Sequence, residues 1–183
     1  VSKLRAALFL DRDGVINEDT AYAHGMHEIH LVPGIIDIFK FLREHPIFVP
    51  VIISNQSGIA RGIYTADDCK TYTKRLLMMI AKYSDYDVTK IPVFFAPTYD
   101  DNDLNLKPNP GMLLIAAKKH KLVLRESYII GDSFSDLEAG YRAGCRGFFH
   151  RSCGINVYDL FKSIPEVKYL LENSQPQRSR MLH

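Results

Sequence analysis

Tryptophan is absent from this chain, and cysteine occurs only three times in 183 residues. Cys69, Cys145 and Cys153 are odd in number and stand in neither a CxxC pair nor zinc-finger spacing, so no disulfide framework organises the fold, in keeping with a reducing compartment. Also missing is any uncharged apolar run long enough to span a bilayer. Neither sign of charge dominates: 23 Lys and Arg against 21 Asp and Glu leave +2, too little to imply a nucleic-acid or membrane partner, although the final QPQRSRMLH is locally basic. No basic, apolar and cleavable leader precedes the first apolar run, so a cytoplasmic location is expected. What is present is a globular composition, 46% apolar and 24% charged, with enough chain for one full core. Residues 1–172 are read as that single domain and 173–183 as a polar tail too poor in apolar residues to fold.

Strand-like and helix-like stretches alternate. The run LRAALFL, from Leu4, reads as a buried strand and empties into DRDGVINED. If extended backbone continues through Arg12, Asp11 and Asp13 point to the same side of the strand end. Residues 14–33 hold no periodic element and are read as a flap loop; its His24, His27 and His30, three apart and not on a helix, are not expected to bring their rings together. A helix follows from Ile35 to about His45. FVPVIISN is a second buried run, in which Pro50 lacks a ladder donor, so the strand should begin nearer Val51 or be irregular.

The glycine-bearing SGIARG reads as a loop before a helix from Ala66 to about Lys82, capped by Thr65 and favoured by Asp67 and Asp68. IPVFFAP is a third strand, residues 98–106 an acidic loop, and Pro108 and Pro110 fix the backbone after Lys107. A helix over 112–121, the strand SYIIGD, a helix over 136–143 capped by Ser133 or Ser135, the strand GFFH, and helical residues on both sides of Pro165 complete the pattern. Such alternation predicts an α/β fold, a three-layer Rossmann-like parallel sheet with helices on both faces. Ligands of these sheets sit at the carboxyl ends of the strands, and there fall Asp11, Asp13, Ser54, Lys107 and Asp132.

Three acids, a hydroxyl and an amine at one sheet edge suit phosphoryl transfer, because a phosphoryl group needs a divalent cation, a lysine and neutral donors around its oxygens. Clustered carboxylates repel one another unless a cation joins them, so Asp11, Asp13 and Asp132 point to Mg2+. One aspartate attacks phosphorus while another protonates the leaving oxygen and later activates water. Chemistry alone does not say which does which.

The ordered motifs DRDGVIN, SNQSGIARG, KPNPGM and GDSFSD resemble the haloacid dehalogenase (HAD) superfamily of phosphohydrolases. The resemblance implies Asp11 as nucleophile, Asp13 as general acid and base and donor of a backbone carbonyl to magnesium, Ser54 and Lys107 as phosphate stabilisers, and Asp132 as a further magnesium ligand. Asp136 would support the metal shell through water or hold Lys107 directly, or else stand on the helix surface without a role. Within the superfamily the motifs are most similar to the heptose 1,7-bisphosphate 7-phosphatases and the related histidinol-phosphate phosphatases, which have no separate cap domain. By that likeness Asp19, Thr20, Tyr22, Asn55, Gln56 and Ser57 contact substrate, and Arg61 adds charge near the phosphate or pairs with an acid of its own loop.

The chain departs from that pattern in three places. Members usually bind a structural zinc through cysteines and a histidine before the lysine motif; here the stretch is APTYDDNDLNLKP, with Ala96, Thr98, Asp103 and Asn105 near the ligand positions, so no structural zinc is expected. Leu106 replaces a usual arginine and Ser133 a frequent lysine, which removes charge that would meet a second phosphate or sugar. The expected substrate is a small phosphorylated metabolite, a heptose bisphosphate first, handled by a monomer. A 3′-phosphorylated polynucleotide and a non-enzymatic, phospho-accepting receiver-like module are the competing readings, the latter disfavoured by the Asp-x-Asp arrangement at the first strand.

Overall fold

The computed structural model describes residues 5–173. Leu4 and residues 174–183 of the tail expected over 173–183 lie outside the described residues, and Asn173 closes the last helix. The strands β1 (Ala6–Asp11), β2 (Phe48–Asn55), β3 (Val93–Ala96), β4 (Tyr128–Gly131) and β5 (Gly147–His150) form one parallel sheet in the order β3-β2-β1-β4-β5. Seven α-helices accompany them among the described residues, α1 (Ile35–Glu44), α2 (Ser57–Ala60), α3 (Ala66–Ser84), α4 (Gly111–His120), α5 (Phe134–Ala143), α6 (Val157–Lys162) and α7 (Pro165–Asn173), with short 3-10 turns at Val88–Lys90 and Leu124–Glu126.

The two-residue period of the strands deals their side chains to two apolar layers. Leu8 and Leu10 of β1, Ile52 of β2 and Ile130 of β4 pack with Ile38 and Phe39 of α1, Leu76 and Ile80 of α3 and Phe161 of α6. Ala7, Phe9, Val51, Ile53 and Ile129 face the other way, onto Met112, Leu113 and Ala116 of α4 and Ala139 of α5. Each large side chain so buried contributes about 1.5–3 kcal/mol, which makes the sheet the rigid frame for whatever its ends carry. The expected three-layer α/β architecture is therefore present.

Three local expectations need correction. β2 runs straight through Pro50, in register with Leu8 of β1. The Ile52 N–H points to the β3 side, where it meets the Pro92 oxygen at 2.9 Å, and the Pro50 nitrogen lies on that same edge. Pairing with β3 begins only at Ile52 and Val93, so the missing donor faces no strand. Residues 57–60 of the SGIARG stretch form the short helix α2 rather than a plain loop. Helix α5 starts at Phe134, earlier than expected, because Ser133 and Asp136 cap each other's backbone N–H groups. Thr65 and Asp68 make the same reciprocal cap for α3, as the Thr65 expectation required.

The chain lays β2 and β3 on one side of β1, then returns to place β4 on the other. The order of strands thus reverses at β1 and β4, whose carboxyl ends carry Asp11 and lead to Asp132. Between β1 and α1, residues 12–34 contain only the isolated bridges Asp13 to Asn17 and Asn17 to Leu31. No helix among the described residues is long and apolar enough to cross a membrane.

Candidate active site

β1 ends at Asp11, and Arg12 stands at a bend, so extended backbone does not continue through it. Gly14 adopts φ +83°, a left-handed conformation open to glycine at little cost, and its N–H closes the turn onto the Asn17 oxygen at 2.7 Å. A Cβ at Gly14 would lie 1.9 Å from Asp132 Oδ2, so the glycine also permits the turn to press against the loop after β4.

Asp11 turns to the β4 side. Lys107 Nζ donates to Asp11 Oδ1 at 2.7 Å and also to Asp136 Oδ1, and all three side chains are buried. Asp136 therefore holds the lysine directly, one of the two roles expected for it, while its other oxygen accepts from Ser133 N and Oγ at 3.1 and 2.7 Å. Gly131 makes room for it, since a Cβ there would come within 2.1 Å of Asp136 Cβ. The Lys107 backbone is fixed by Asn55, whose Oδ1 accepts from Lys107 N and whose Nδ2 donates to Lys107 O, both at 2.9 Å.

Carboxylate oxygens of Asp11, Asp132 and Asp136 all lie within 4.8 Å of one another. Burial pushes the Asp11 carboxyl well above the usual carboxylate range despite the opposing pull of Lys107, and burial, then the Asp136 charge, raise Asp132. Burial works against the Lys107 charge, but Asp11 and Asp136 outweigh it and hold the ammonium above its ordinary value. Three acids against one lysine leave an excess of negative charge with hard oxygen donors, which is the environment a Mg2+ ion fits. Asp13 contributes no side-chain oxygen to this group.

Asp13 is instead surrounded by donors. Arg12 reaches its Oδ2 at 2.9 Å, Asn17 Nδ2 its Oδ1 at 2.9 Å, and Gln56 Nε2 its Oδ2 at 2.8 Å. The same Gln56 nitrogen bonds Ser54 Oγ at 2.7 Å, and Tyr64 donates to Gln56 Oε1 at 2.6 Å, so one amide joins the acid, the hydroxyl and a buried phenol. Burial pushes the Tyr64 hydroxyl up to about 12, which keeps it a donor at neutral pH.

The remaining expected residues are more dispersed. Asp19 sits with Gly14 and Glu18 along a cleft of about 410 Å3 whose other wall is Asp132 and the His150 to Cys153 segment. Asp19 Oδ1 also accepts the Ala21 N–H, Thr20 is exposed, and the Tyr22 ring lies 6.4 Å from that of Tyr64. Ser57 opens α2. Arg61 pairs with no acid of its loop; its guanidinium stacks on Tyr99 at 4.9 Å. The rings of His24 and His27 do come together, at 4.2 Å, because a turn bonds His27 N to His24 O; His24 also stacks on Tyr64, while His30 faces Glu28.

The sequence does not single out Arg12, Tyr64 or Arg151, and marks Asn17 only as the asparagine of the DRDGVIN motif. Arg151, 4% exposed, donates to the Gly14 oxygen at 2.6 Å and to Glu18 Oε1 at 3.3 Å, and so ties the end of β5 to the start of the flap. For Arg12 a signal existed: Cys69 and Thr73 stand one turn apart on the face of α3 that also buries Tyr72 and Leu76, and polar groups on such a face need a partner.

A HAD-hydrolase-like family model matches residues 106–165. A D-glycero-beta-D-manno-heptose-1,7-bisphosphate 7-phosphatase of Rhodopseudomonas palustris is 35% identical over 84% of this chain and 88% of its own. The Helicobacter pylori (strain ATCC 700392 / 26695) enzyme of the same name is 36% identical over 75% and 78%. The chain belongs to this phosphatase family of HAD-like hydrolases. In three dimensions it is similar to D,D-heptose 1,7-bisphosphate phosphatase from B. bronchiseptica, solved with magnesium and phosphate, at a TM-score of 0.71 and 26% identity over 96% of this chain and 90% of that one.

Against that family, the loop before Lys107 is held by side-chain turns. Thr98 Oγ1 accepts from Asp100 N, Asp100 Oδ1 from Asn102 N and Asp103 Oδ1 from Asn105 N, while Asn109 Nδ2 donates to the oxygens of Asp101 and Asp103. Leu106, at the usual arginine position, is buried in the α4 layer, and Ser133 is spent on the cap of α5.

Proposed function

We propose that this phosphatase removes one phosphate from a small sugar bisphosphate of the heptose 1,7-bisphosphate kind, with Mg2+ and through an aspartyl-phosphate on Asp11. The observation that carries it is Lys107 held between Asp11 and Asp136 beside Asp132, at the edge where the strand order reverses. Asp11 and Asp132, with the Asp13 main-chain oxygen, would hold the ion, which when bound supplies positive charge against the phosphoryl oxygens. Lys107 anchors the Asp11 carboxylate and answers the charge of the phosphoryl group, and Ser54 offers a hydroxyl to it.

Asp11 attacks phosphorus, the bond to the sugar oxygen breaks, and Asp13 gives that oxygen its proton. Water then attacks the phosphorus, Asp13 takes a proton back, and the bond to Asp11 breaks to free inorganic phosphate. Asp19 on the cleft wall, with Thr20, Tyr22, Gln56, Ser57 and Arg61, forms the substrate side of this reading. Asn55 acts there through Lys107, to which its amide is committed. The same reading takes residues 1–172 as one catalytic domain, a cytoplasmic monomer without nucleic-acid partner or structural zinc.

The test measures phosphate release with Mg2+ from both heptose 1,7-bisphosphate anomers, histidinol phosphate, other sugar phosphates and a 3′-phosphorylated oligonucleotide. A heptose bisphosphate should give the highest kcat/KM. Faster release from histidinol phosphate or the oligonucleotide overturns the substrate assignment, and stoichiometric zinc in the purified protein overturns the reading of the loop.

A further inference from the structure

Arg12 stands between the two reactive acids, and the proposed chemistry leaves it without a task. It is 1% exposed, and the carboxylate it pairs with is that of Asp13. All five of its N–H groups have acceptors. Nε is shared by Asp13 Oδ1 and Oδ2 at 3.1 and 3.2 Å, and Nη2 bonds Asp13 Oδ2 at 2.9 Å and the Ala23 oxygen of the flap at 3.0 Å. Nη1 reaches Thr73 Oγ1 at 3.3 Å and Cys69 Sγ at 3.4 Å, and the Tyr72 ring lies 5.0 Å from the guanidinium carbon. With no N–H left over and no path to solvent, this arginine is not built to bind a phosphate. It is a plate bolted to α3 and to the flap, with the Asp13 carboxylate lying along its remaining edge.

From this arrangement we infer that Arg12 is a positioning residue for proton transfer. Its fork fixes the rotation of the Asp13 carboxylate, so that the proton moves along one direction between Asp13 and the leaving or attacking oxygen. The inference rests on the reading of Asp13 as the proton carrier. A bidentate guanidinium fixes the plane of a carboxylate as well as answering its charge, whereas lysine at the same place keeps the charge and loses the plane. Proton transfer requires the donor oxygen within hydrogen-bond reach of the moving oxygen, and a misplacement of about 1 Å costs about 10²-fold.

The test uses Arg12→Lys and Thr73→Val, the second of which keeps the arginine and removes one of its anchors. Phosphoryl transfer to Asp11 is followed in single turnover with Mg2+ from two esters, phenyl phosphate and p-nitrophenyl phosphate. In both, the phosphorus–oxygen bond breaks with its electron pair on the phenolic oxygen; phenolate needs the Asp13 proton, while p-nitrophenolate leaves without it. Arg12→Lys should slow transfer from phenyl phosphate by about 10²-fold and from p-nitrophenyl phosphate by less than about threefold, with KM little changed. Thr73→Val should show the same selectivity at about fivefold, and decides the matter if the lysine variant does not fold. Equal slowing of both esters, a change in KM alone, or wild-type rates would overturn the inference. Asp13→Asn in the same assay should show the selective loss in full. If it does not, the proton-carrier reading itself fails; if it does and the Arg12 and Thr73 variants do not, the inference alone fails.

Discussion

Asp11 and Asp13 stand two residues apart in the chain and end in opposite company. Asp11 shares its one lysine with Asp136, and Asp132 adds a third carboxylate beside them, so that side of the site is short of positive charge. Around Asp13, an arginine and two amides converge on one carboxylate, so that side already holds its own positive charge. One environment asks for a cation from solution and the other has supplied its own. The difference shows that neighbouring acids acquire separate work from the elements that fold around them, here α5 and the lysine loop for the first, α3 and the end of β2 for the second.

Replacing either acid should stop turnover while moving stability in opposite directions. Asp11→Asn removes the nucleophile and should lower kcat by about 10⁴-fold or more, with a metal-free fold at least as stable as the parent, since one buried negative charge is gone. Asp13→Asn should lower kcat by about 10²–10⁴-fold and also destabilise, by about 2–3 kcal/mol, because Arg12 stays buried without its counter-charge. Phosphate release and denaturant midpoints measure both, and the contrast breaks if the two variants shift the midpoint the same way. Asp132→Asn should raise the thermal midpoint of metal-free protein yet abolish the stabilisation that Mg2+ gives the parent. Its turnover at limiting Mg2+ should fall by at least the roughly 10–100-fold that loss of an outer metal partner costs.

The smallest effect is a pH slope. Asp11 and Asp132 both carry carboxyls raised in the fold, so the folded chain keeps protons that the unfolded chain releases near pH 4. That contribution is fully present below about pH 4 and is lost as the pH rises through the raised values. The carboxyls of Asp68 and Asp87, which are held low, change only below this window. Thermal unfolding in a chelator should therefore show stability declining from about pH 4 upward until the lowered His120 imidazole begins to oppose it, and saturating Mg2+ should remove the decline. A flat profile in the chelator would mean that burial does not hold these carboxyls above their ordinary range.

Apolar runs ending in polar residues made the sheet readable, and Asp11, Ser54, Lys107 and Asp132 could be placed at one edge because each follows such a run or its loop. The split between Asp11 and Asp13 was not readable, since it depends on a bend at Arg12 and on groups tens of residues away. Cys69, Thr73 and Gln56 meet that arginine and its acid only after α3 and β2 have packed on β1. The tolerance of Pro50 likewise depends on where β3 begins to pair, which is a property of strand order and not of the run FVPVIISN. The meeting of His24 and His27 depends on one turn hydrogen bond that spacing alone does not announce.

The double hydrogen bond from Asn55 to the Lys107 backbone separates the lysine's position from the loop that delivers it. Residues 97–106 can be viewed as slack cable between two clamps, one at the end of β3 and the other at the end of β2. Length, turn chemistry or bound metal can change along the cable without pulling on the clamp, provided that the last residues still reach Asn55. A phosphatase built in this way can exchange the stiffening of its loop for another and keep the amine in register with Asp11.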